Sequence, residues 1–283
     1  MTSLAPPTAT RAEGTPGGSI ESLVAAKAGR TLAVCIPARN EAATIGPIVT
    51  AITDWLVPAG LVDVVVVVDD GSTDATGGRA AAAGAHVVRR ATAPGKGDAL
   101  RCAISGTPAD VLVFLDADVT NFSPWFVVAL AAPLLGDPHT MLVKAAYDRP
   151  LHGRPGEGGR VTELVARPLL ARFFPDLAEI TQPLAGEFAI RREALADISL
   201  ADGYAIDIAL LIDVYERFGR QAITEVDLGE RSHRNRPLHE LRPHSRAVLD
   251  AVLTRARSAE THPYARGLEP TRQLHNEVEG QSR

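Results

Sequence analysis

Two aspartates, Asp116 and Asp118, follow directly after a short apolar run, Val111 to Leu115. An apolar run rich in Val and Phe is typical of a buried strand in a parallel sheet. Carboxylates at the carboxyl end of such a strand lie where open α/β sheets bind ligands. Two carboxylates one residue apart can bind a hard divalent cation, and Mg²⁺ is usually shared between carboxylates and substrate phosphates. The pattern therefore predicts a metal site, although about one Asp-x-Asp is expected by chance in a chain this long.

Polar loops flank three further predicted elements. A strand at Thr31 to Ile36 is followed by Pro37-Ala38-Arg39-Asn40-Glu41, and a Val-rich strand at Val62 to Val68 is followed by Asp69-Asp70-Gly71-Ser72-Thr73-Asp74. Gly95-Lys96-Gly97 precedes a predicted helix that runs to about Ser105. We expect Ser72 or Thr73 to cap the helix after the second loop. Strands that alternate with helices in this way predict a doubly wound α/β sheet with right-handed crossovers. The three loops should therefore meet the aspartates at one sheet edge.

Charged residues occupy unusual places in the second half. Asp207 and Asp213 lie in a strongly apolar predicted helix, Ala205 to Phe218, where a charge needs a partner or a function. We expect Asp213 to form a structural pair with an arginine. Arg160 and Thr162 follow a Gly-rich loop and open another predicted helix, whose N-terminus would suit an anion.

Composition limits the classes of partner. The 283 residues carry a net charge of −5 and are 46% hydrophobic, which argues against nucleic acid because a phosphate-binding surface is usually basic. Two cysteines and the lack of a signal-like N-terminus predict a reduced, cytoplasmic protein. We expect a disordered tail at 1–18, a single domain at 19–257 and a polar, flexible tail at 258–283. Within the domain, about 30–120 would bind the donor and about 121–257 the acceptor.

The loop motifs and Phe114-Leu115-Asp116-Ala117-Asp118, in this order, resemble a nucleotide-sugar glycosyltransferase of the GT-A fold. The second half is similar to the glucosyl-3-phosphoglycerate synthases, which are retaining enzymes. The residues that carry this similarity are Gly158-Gly159-Arg160-Val161-Thr162-Glu163, Gln182-Pro183-Leu184-Ala185-Gly186-Glu187 and Arg234-Asn235-Arg236-Pro237-Leu238. The resemblance covers about residues 30–260. The loop between Tyr147 and Gly158 is short for the family, Asp207 stands where the family has Glu, and Phe188 replaces a Tyr.

The resemblance implies a GT-A fold with a Rossmann-like doubly wound mixed sheet and an acceptor-binding C-terminal half. It also implies transfer of glucose from UDP-glucose to 3-phosphoglycerate with Mg²⁺ or Mn²⁺, in a homodimer. The residues with implied catalytic roles are Asp116, Asp118, Glu187 and Asp207, the last two as contacts for sugar hydroxyls. The implied donor and cofactor contacts are Pro37, Ala38, Glu41, Asp70, Ser72, Lys96, Asp116, Ala117, Asp118, Arg231, His233 and Arg236, and Asp118 and His233 would bind the metal. The implied acceptor contacts are Gly159, Arg160, Val161, Thr162, Tyr204 and Asn235.

Three alternatives stay open. The same fold could use another pair of substrates, such as GDP-mannose with 3-phosphoglycerate, or a sugar with a different anionic acceptor. A non-catalytic sensor of nucleotide sugars is disfavoured by the intact Asp116, Asp118 and His233. A nucleotidyltransferase would need a Gly-rich phosphate loop after the first strand, and the residues from Pro37 to Glu41 are not such a loop.

Overall fold

The structure is a computed structural model that describes residues 19–90, 95–148, 159–231 and 238–260. Its strands are β1 (Leu32–Ala38), β2 (Val64–Asp69), β3 (His86–Arg89), β4 (Val111–Phe114), β5 (Leu142–Asp148), β6 (Phe188–Arg191) and β7 (Ile223–Glu230). Its α-helices are α1 (Ile20–Lys27), α2 (Ile45–Trp55), α3 (Thr76–Ala82), α4 (Lys96–Ser105), α5 (Trp125–Gly136), α6 (Arg167–Phe173), α7 (Ile206–Phe218) and α8 (Arg242–Glu260). A π-helical turn, Thr162–Ala166, leads into α6.

These seven strands of the described residues form one mixed sheet in the order β3-β2-β1-β4-β6-β5-β7. Strands β3, β2, β1 and β4 are parallel, whereas β6 runs antiparallel to both of its neighbours. Ala38 is in register with Asp69, and Cys35 with Phe114. The carboxyl ends of β1, β2 and β4 therefore lie at one edge, as the sequence predicts. The predicted doubly wound mixed α/β sheet is confirmed.

The central strands are buried on both faces. Val34 and Val67 pack into the apolar layer formed with α2 and α5, whereas Cys35 and Val68 pack into the layer formed with α4, α7 and α8. Burial on both faces explains why β2 is an unbroken Val run and not an alternating pattern. The sheet is thus held rigidly beneath the loops at its edge.

One predicted cap is wrong. Helix α3 begins at Thr76, with Ala75 at the N-cap and no side-chain cap hydrogen bond. Ser72 and Thr73 lie before the N-cap position, and their hydroxyls bind Asn40 of the neighbouring loop: the Ser72 hydroxyl accepts from the Asn40 N–H, and the Thr73 hydroxyl donates to the Asn40 side chain. The polar residues after β2 therefore join two loops.

The expected arginine partner of Asp213 is present. Asp213 of α7 pairs with Arg255 of α8, whose Nε and Nη2 lie 2.6 and 2.7 Å from its two carboxylate oxygens. Both cysteines are free, and burial raises the pKa of the Cys35 thiol to about 12. In the part of the chain that the structure describes, no helix is both long and apolar enough to cross a membrane.

Candidate active site

The loops after β1 and β2 form one rigid unit at the sheet edge. Besides the contacts of Asn40, the Glu41 N–H donates to the Thr76 hydroxyl at 2.8 Å, and the Ser72 N–H donates to Asp69 at 3.0 Å. Asn40 adopts a left-handed conformation with φ of 57°, which Asn tolerates better than most residues. Pro37 and Ala38 end β1 beside these loops. The predicted donor residues Pro37, Ala38, Glu41 and Ser72 are therefore brought together.

Asp70 connects the loop after β2 to the residue before α4. Its carboxylate accepts from the Gly95 N–H at 2.8 Å and forms an ion pair with Arg90. Arg90 also lies 3.3 Å from a carboxylate oxygen of Asp98 in the first turn of α4. Asp70 is buried, so its charge is balanced inside the protein. Its contacts position the start of α4, where Lys96 lies.

A cluster of ion pairs lies beyond the carboxyl end of β4. We call it the ion-pair cluster, and it consists of Lys96, Asp116, Asp118, Glu187, Asp207 and Arg231. Its members come from the start of α4, the loop after β4, the residue before β6, the first turn of α7 and the residue after β7. Four carboxylates thus face two cations at the sheet edge.

Arg231 is the buried centre of the ion-pair cluster. Its Nη2 lies 2.7 Å from Asp116 Oδ2 and 3.0 Å from Asp118 Oδ1, and its Nη1 lies 3.4 Å from the Tyr147 hydroxyl. Its Nε is 2.9 Å from Glu187 Oε1, but these two atoms make an ion pair without a hydrogen bond. Burial alone would lower the pKa of Arg231, yet Glu187 and Asp116 outweigh it and raise that pKa well above its ordinary value. Arg231 therefore orders the carboxylates, and its predicted phosphate contact stays a prediction.

Lys96 joins the first half of the chain to the second. Its Nζ lies 2.7 Å from Asp207 Oδ2 and 3.7 Å from Asp116 Oδ1. Burial opposes the charged form, but Asp207 and then Asp116 outweigh burial and raise the pKa of Lys96. The other Asp207 oxygen, Oδ1, is buried without a hydrogen-bond partner. An unpaired buried carboxylate oxygen is unfavourable, so a donor from a bound molecule would stabilise it.

Gly97 explains how Lys96 and Asp207 can approach. A Cβ at Gly97 would lie 2.2 Å from the carbonyl oxygen of Ala201 and 3.0 Å from Asp202 Cα, so only Gly allows α4 to contact this backbone. The contact is extended by Arg101, which donates to the Leu200 carbonyl at 2.7 Å. The segment before α7 is thereby held against α4. In Gly95-Lys96-Gly97, the second glycine therefore serves this close packing.

Gly186 has a similar role beneath Asp116. A Cβ at this position would lie 2.3 Å from Asp116 Oδ1 and 2.6 Å from Oδ2. The next residue, Glu187, is 1% exposed and accepts a hydrogen bond from the Tyr147 hydroxyl at 3.0 Å. Gly186 and Tyr147 were not among the predicted site residues. The Gly before Glu187 was the available signal for Gly186, whereas nothing local singles out a Tyr at the end of an apolar strand.

The predicted acceptor residues lie in two places. Gly159, with φ of 70°, starts the turn that precedes the π-helical turn, and its carbonyl accepts from the Glu163 N–H at 3.0 Å. Arg160 and Val161 are half-buried and Thr162 is buried. Tyr204 lies just before α7, where its ring contacts the ring of His244 of α8 at a tilt of 37°, with centroids 3.7 Å apart. His233, Asn235 and Arg236 lie outside the described residues.

The carboxylates of Asp116 and Asp118 suit a divalent cation as metal ligands. Asp116 and Asp118 supply hard carboxylate oxygens, which Mg²⁺ and Mn²⁺ prefer. Their side chains remain 28% and 36% exposed, so an ion can reach them. Within the described ranges no group of three or more His, Cys, Asp or Glu residues forms a complete metal site. The pair at Asp116 and Asp118 therefore fits as part of a metal site that needs further ligands from the substrate or from elsewhere in the chain.

A mixed sheet with an Asp-Ala-Asp loop at its edge fits the predicted class of protein, a glycosyltransferase of the GT-A fold. The chain belongs to glycosyl transferase family 2, whose family model matches residues 33–198. The match includes the loops after β1, β2 and β4 and ends after β6.

Individual proteins of similar sequence give a more specific match than the family model. Glucosyl-3-phosphoglycerate synthase of Mycobacterium tuberculosis H37Rv is 48% identical over 254 residues, which are 85% of this chain and 78% of the relative. The enzyme of the same name from Petrotoga mobilis is 40% identical over 236 residues, or 79% of this chain and 73% of the relative. These matches confirm the predicted resemblance to the glucosyl-3-phosphoglycerate synthases.

Solved structures of a glucosyl-3-phosphoglycerate synthase are also similar to this chain. A crystal structure of the M. tuberculosis synthase with Mn²⁺, UDP-glucose and phosphoglyceric acid matches with a TM-score of 0.79 and 46% identity, covering 86% of each chain. The same enzyme has been solved with Mn²⁺, UDP and glucosyl-3-phosphoglycerate, and also with Mg²⁺ and UDP. The predicted GT-A fold is confirmed by these matches.

Proposed function

We propose that this protein transfers glucose from UDP-glucose to 3-phosphoglycerate with the help of Mg²⁺ or Mn²⁺, giving glucosyl-3-phosphoglycerate. The observation that carries the proposal is the ion-pair cluster at the carboxyl edge of β4, in a chain whose relatives bear the name of this activity. A structure of one relative contains the donor, the acceptor and a divalent ion together. The chain is accordingly a nucleotide-sugar hexosyltransferase.

Asp118 would hold the metal together with His233, which lies outside the described residues. Asp116 would face the ribose and the surroundings of the metal. When bound, the ion would supply Lewis-acid chemistry that neutralises the charge of a nucleoside diphosphate leaving group. Arg231 holds both aspartates at fixed positions before substrates arrive, because its Nη2 contacts an oxygen of each. Such preorganisation lowers the cost of rearrangement during the reaction.

Asp207 and Glu187 would contact the sugar. The unpaired Asp207 Oδ1 is an acceptor for a sugar hydroxyl, while Lys96 holds the other oxygen. Glu187 is held by Tyr147 and Arg231, which keeps its carboxylate oriented. A buried acceptor that is satisfied only by the correct hydroxyl gives specificity, because a sugar without that hydroxyl leaves it unpaired.

The remaining predicted contacts complete the proposal. Pro37, Ala38, Glu41, Asp70, Ser72 and Ala117 would frame the uracil and ribose, with Lys96, Arg231 and Arg236 toward the diphosphate. Gly159, Arg160, Val161, Thr162, Tyr204 and Asn235 would bind the acceptor, whose phosphate and carboxylate suit Arg160 and the N–H groups of its turn.

The family resemblance also supports retention of the anomeric configuration, a homodimer and a cytoplasmic location, and we include these in the proposal. The proposal also includes a single domain at 19–257. The predicted tail at 1–18 lies outside the described residues, as does the predicted tail at 258–283 except for its first three residues, which belong to α8. The anomeric configuration of the product, read by NMR coupling constants, tests retention. Sedimentation equilibrium tests the dimer.

The direct test is turnover. Purified protein incubated with UDP-glucose, Mg²⁺ and 3-phosphoglycerate should release UDP, and chelation of the metal should stop the release. Asp118→Ala should abolish transfer and leave the folded structure, measured by circular dichroism and thermal melting, intact. Asp213→Ala is the control, because this aspartate pairs with Arg255 between two helices and should keep turnover. Normal turnover in Asp118→Ala would remove the aspartate pair from the proposed mechanism.

Asp207 favours a second candidate, the same reaction type with another donor or acceptor. This side chain is one methylene shorter than the Glu of the family pattern, and its Oδ1 is unpaired. A panel of UDP- and GDP-sugars against 3-phosphoglycerate and other small anions separates the two candidates. Preference for UDP-glucose with 3-phosphoglycerate supports the first, preference for another pair supports the second, and no turnover with any pair refutes both.

A further inference from the structure

Lys144 is a buried lysine beneath the candidate active site. It lies in β5, is 1% exposed, and its Nζ donates to the Ala185 carbonyl at 2.6 Å. The Nζ also lies 5.3 Å from the ring centroid of Phe188, its partner across the β5–β6 pair. Burial of an ammonium group without a close carboxylate is costly, so this lysine needs a physical reason.

The hydrogen bond of Lys144 fixes the backbone that carries Glu187. Ala185 accepts from Lys144, Gly186 lies directly against the Asp116 carboxylate, and the Glu187 carbonyl accepts from the Ala145 N–H at 3.1 Å. Residues on β5 thus hold both ends of this short segment. A shift of the segment would move Glu187 and would open the contact of Gly186 with Asp116.

The charge of Lys144 also matters to the ion-pair cluster. Asp207 of α7, Glu187 before β6 and Asp116 after β4 favour its charged form, whereas Lys96 of α4 opposes it. Burial is the largest effect and lowers the pKa of Lys144 to about 8. The cluster has four carboxylates and two cations, Lys96 and Arg231, so Lys144 supplies a third buried positive charge, which acts on these carboxylates through its field and not through direct contact.

We propose that Lys144 is a positioning residue for the transfer reaction, which holds the Ala185-Gly186-Glu187 backbone against Asp116 and balances the carboxylates of the ion-pair cluster. The inference rests on the proposed function. Lys144 does not need to touch either substrate for this role, because it acts through Ala185 and through its field on the carboxylates. Its loss should therefore lower kcat more than it changes KM for UDP-glucose.

The test compares the wild-type chain with Lys144→Met, which keeps the length of the side chain and removes its charge and its donors. We expect kcat to fall about 10- to 100-fold, the loss typical of groups misplaced by up to 1 Å, with UDP binding by calorimetry within about threefold. The wild-type kcat/KM for UDP-glucose should fall above about pH 8 as Lys144 loses its proton. Lys144→Met should lack this decline. A purely structural role would not move the pH profile.

Arg191→Lys is the matched control. Arg191 is another buried cation of the same sheet that donates to carbonyls, those of Thr140 and Asp137, but it lies at the opposite end of β6 from Glu187. The Arg191→Lys substitution should lower the melting temperature and leave kcat unchanged. Lys144→Gln, which is shorter and neutral, repeats the measurement if Lys144→Met does not fold.

Two results are decisive against the inference. Wild-type kcat and an unchanged pH profile in a folded Lys144 variant would overturn it while leaving the proposed function intact. A wild-type chain without turnover would refute the proposed function, and the role of Lys144 in transfer with it.

Discussion

Replacing Lys96 by Met should leave a buried carboxylate without any partner. Asp207 is 5% exposed, its Oδ2 binds Lys96 at 2.7 Å, and its Oδ1 has no hydrogen bond. Removal of one member of a buried ion pair costs about 3–5 kcal/mol, because the remaining charge is stranded. For a chain of this size each kcal/mol corresponds to about 2–4 °C, so the melting temperature of Lys96→Met should fall by about 6–20 °C.

A double-mutant cycle separates the ion pair from other effects. Asp207→Leu alone leaves Lys96 beside Asp116, at 3.7 Å, and should cost less than Lys96→Met. Because replacement of both partners by apolar groups is often close to neutral, the double variant should be more stable than the sum of the single changes by about 2–3 kcal/mol. The free energies come from urea denaturation followed by circular dichroism. Both single variants and the double variant should lack glucosyl transfer, because both residues belong to the candidate site.

Lys27 provides the control for this cycle. Its Nζ lies at the same 2.7 Å from a carboxylate oxygen of Asp63, but the Asp63 side chain is 41% exposed and keeps contact with water. Lys27→Met, which leaves only this water-exposed carboxylate behind, should therefore cost less than Lys96→Met, and transfer should persist. A loss of less than about 1 kcal/mol in Lys96→Met, the value of an exposed pair, would refute the reasoning, as would strict additivity in the cycle.

Three further predictions concern single residues. Gly186→Ala would place a Cβ 2.3 Å from Asp116 Oδ1 and should reduce kcat about a hundredfold, whereas Gly46→Ala, at an uncrowded helical position, should keep full activity; equal turnover in the two variants would contradict this account. The pKa of Lys144 is about 8 in the folded chain and about 10.4 in the unfolded chain. Between these pH values only the unfolded chain holds the proton, so Lys144 makes the free energy of unfolding rise with pH. Lys144→Met should lack this contribution, and parallel curves of unfolding free energy against pH for the two chains would argue against it. Arg255→Met should lower stability by about 1–3 kcal/mol, because it removes two charge-assisted hydrogen bonds between α8 and α7, and a steady-state assay should find kcat unchanged; a selective loss of kcat would disprove a purely structural role.

The order of the elements and the loops that carry the chemistry can be predicted from the amino-acid sequence alone. Unbroken apolar runs predict buried parallel strands, and polar loops after them predict a shared edge, because local patterns report local conformation. The structure agrees for β1, β2 and β4. The pairing of Asp213 with an arginine also follows locally, since a lone carboxylate in an apolar helix requires a partner.

The contacts between the two halves of the chain depend on long-range packing. Arg231 contacts Asp116 across 115 positions, and Lys96 contacts Asp207 across 111. No local pattern encodes such pairs, because they depend on the antiparallel insertion of β6 and on the packing of α4 against the segment before α7. For the same reason, the places of Lys144, Tyr147 and Gly186 at the site could not be predicted from the sequence. Each is an ordinary residue in its local sequence and becomes part of the site only when the sheet brings β5 and the turn before β6 beneath Asp116.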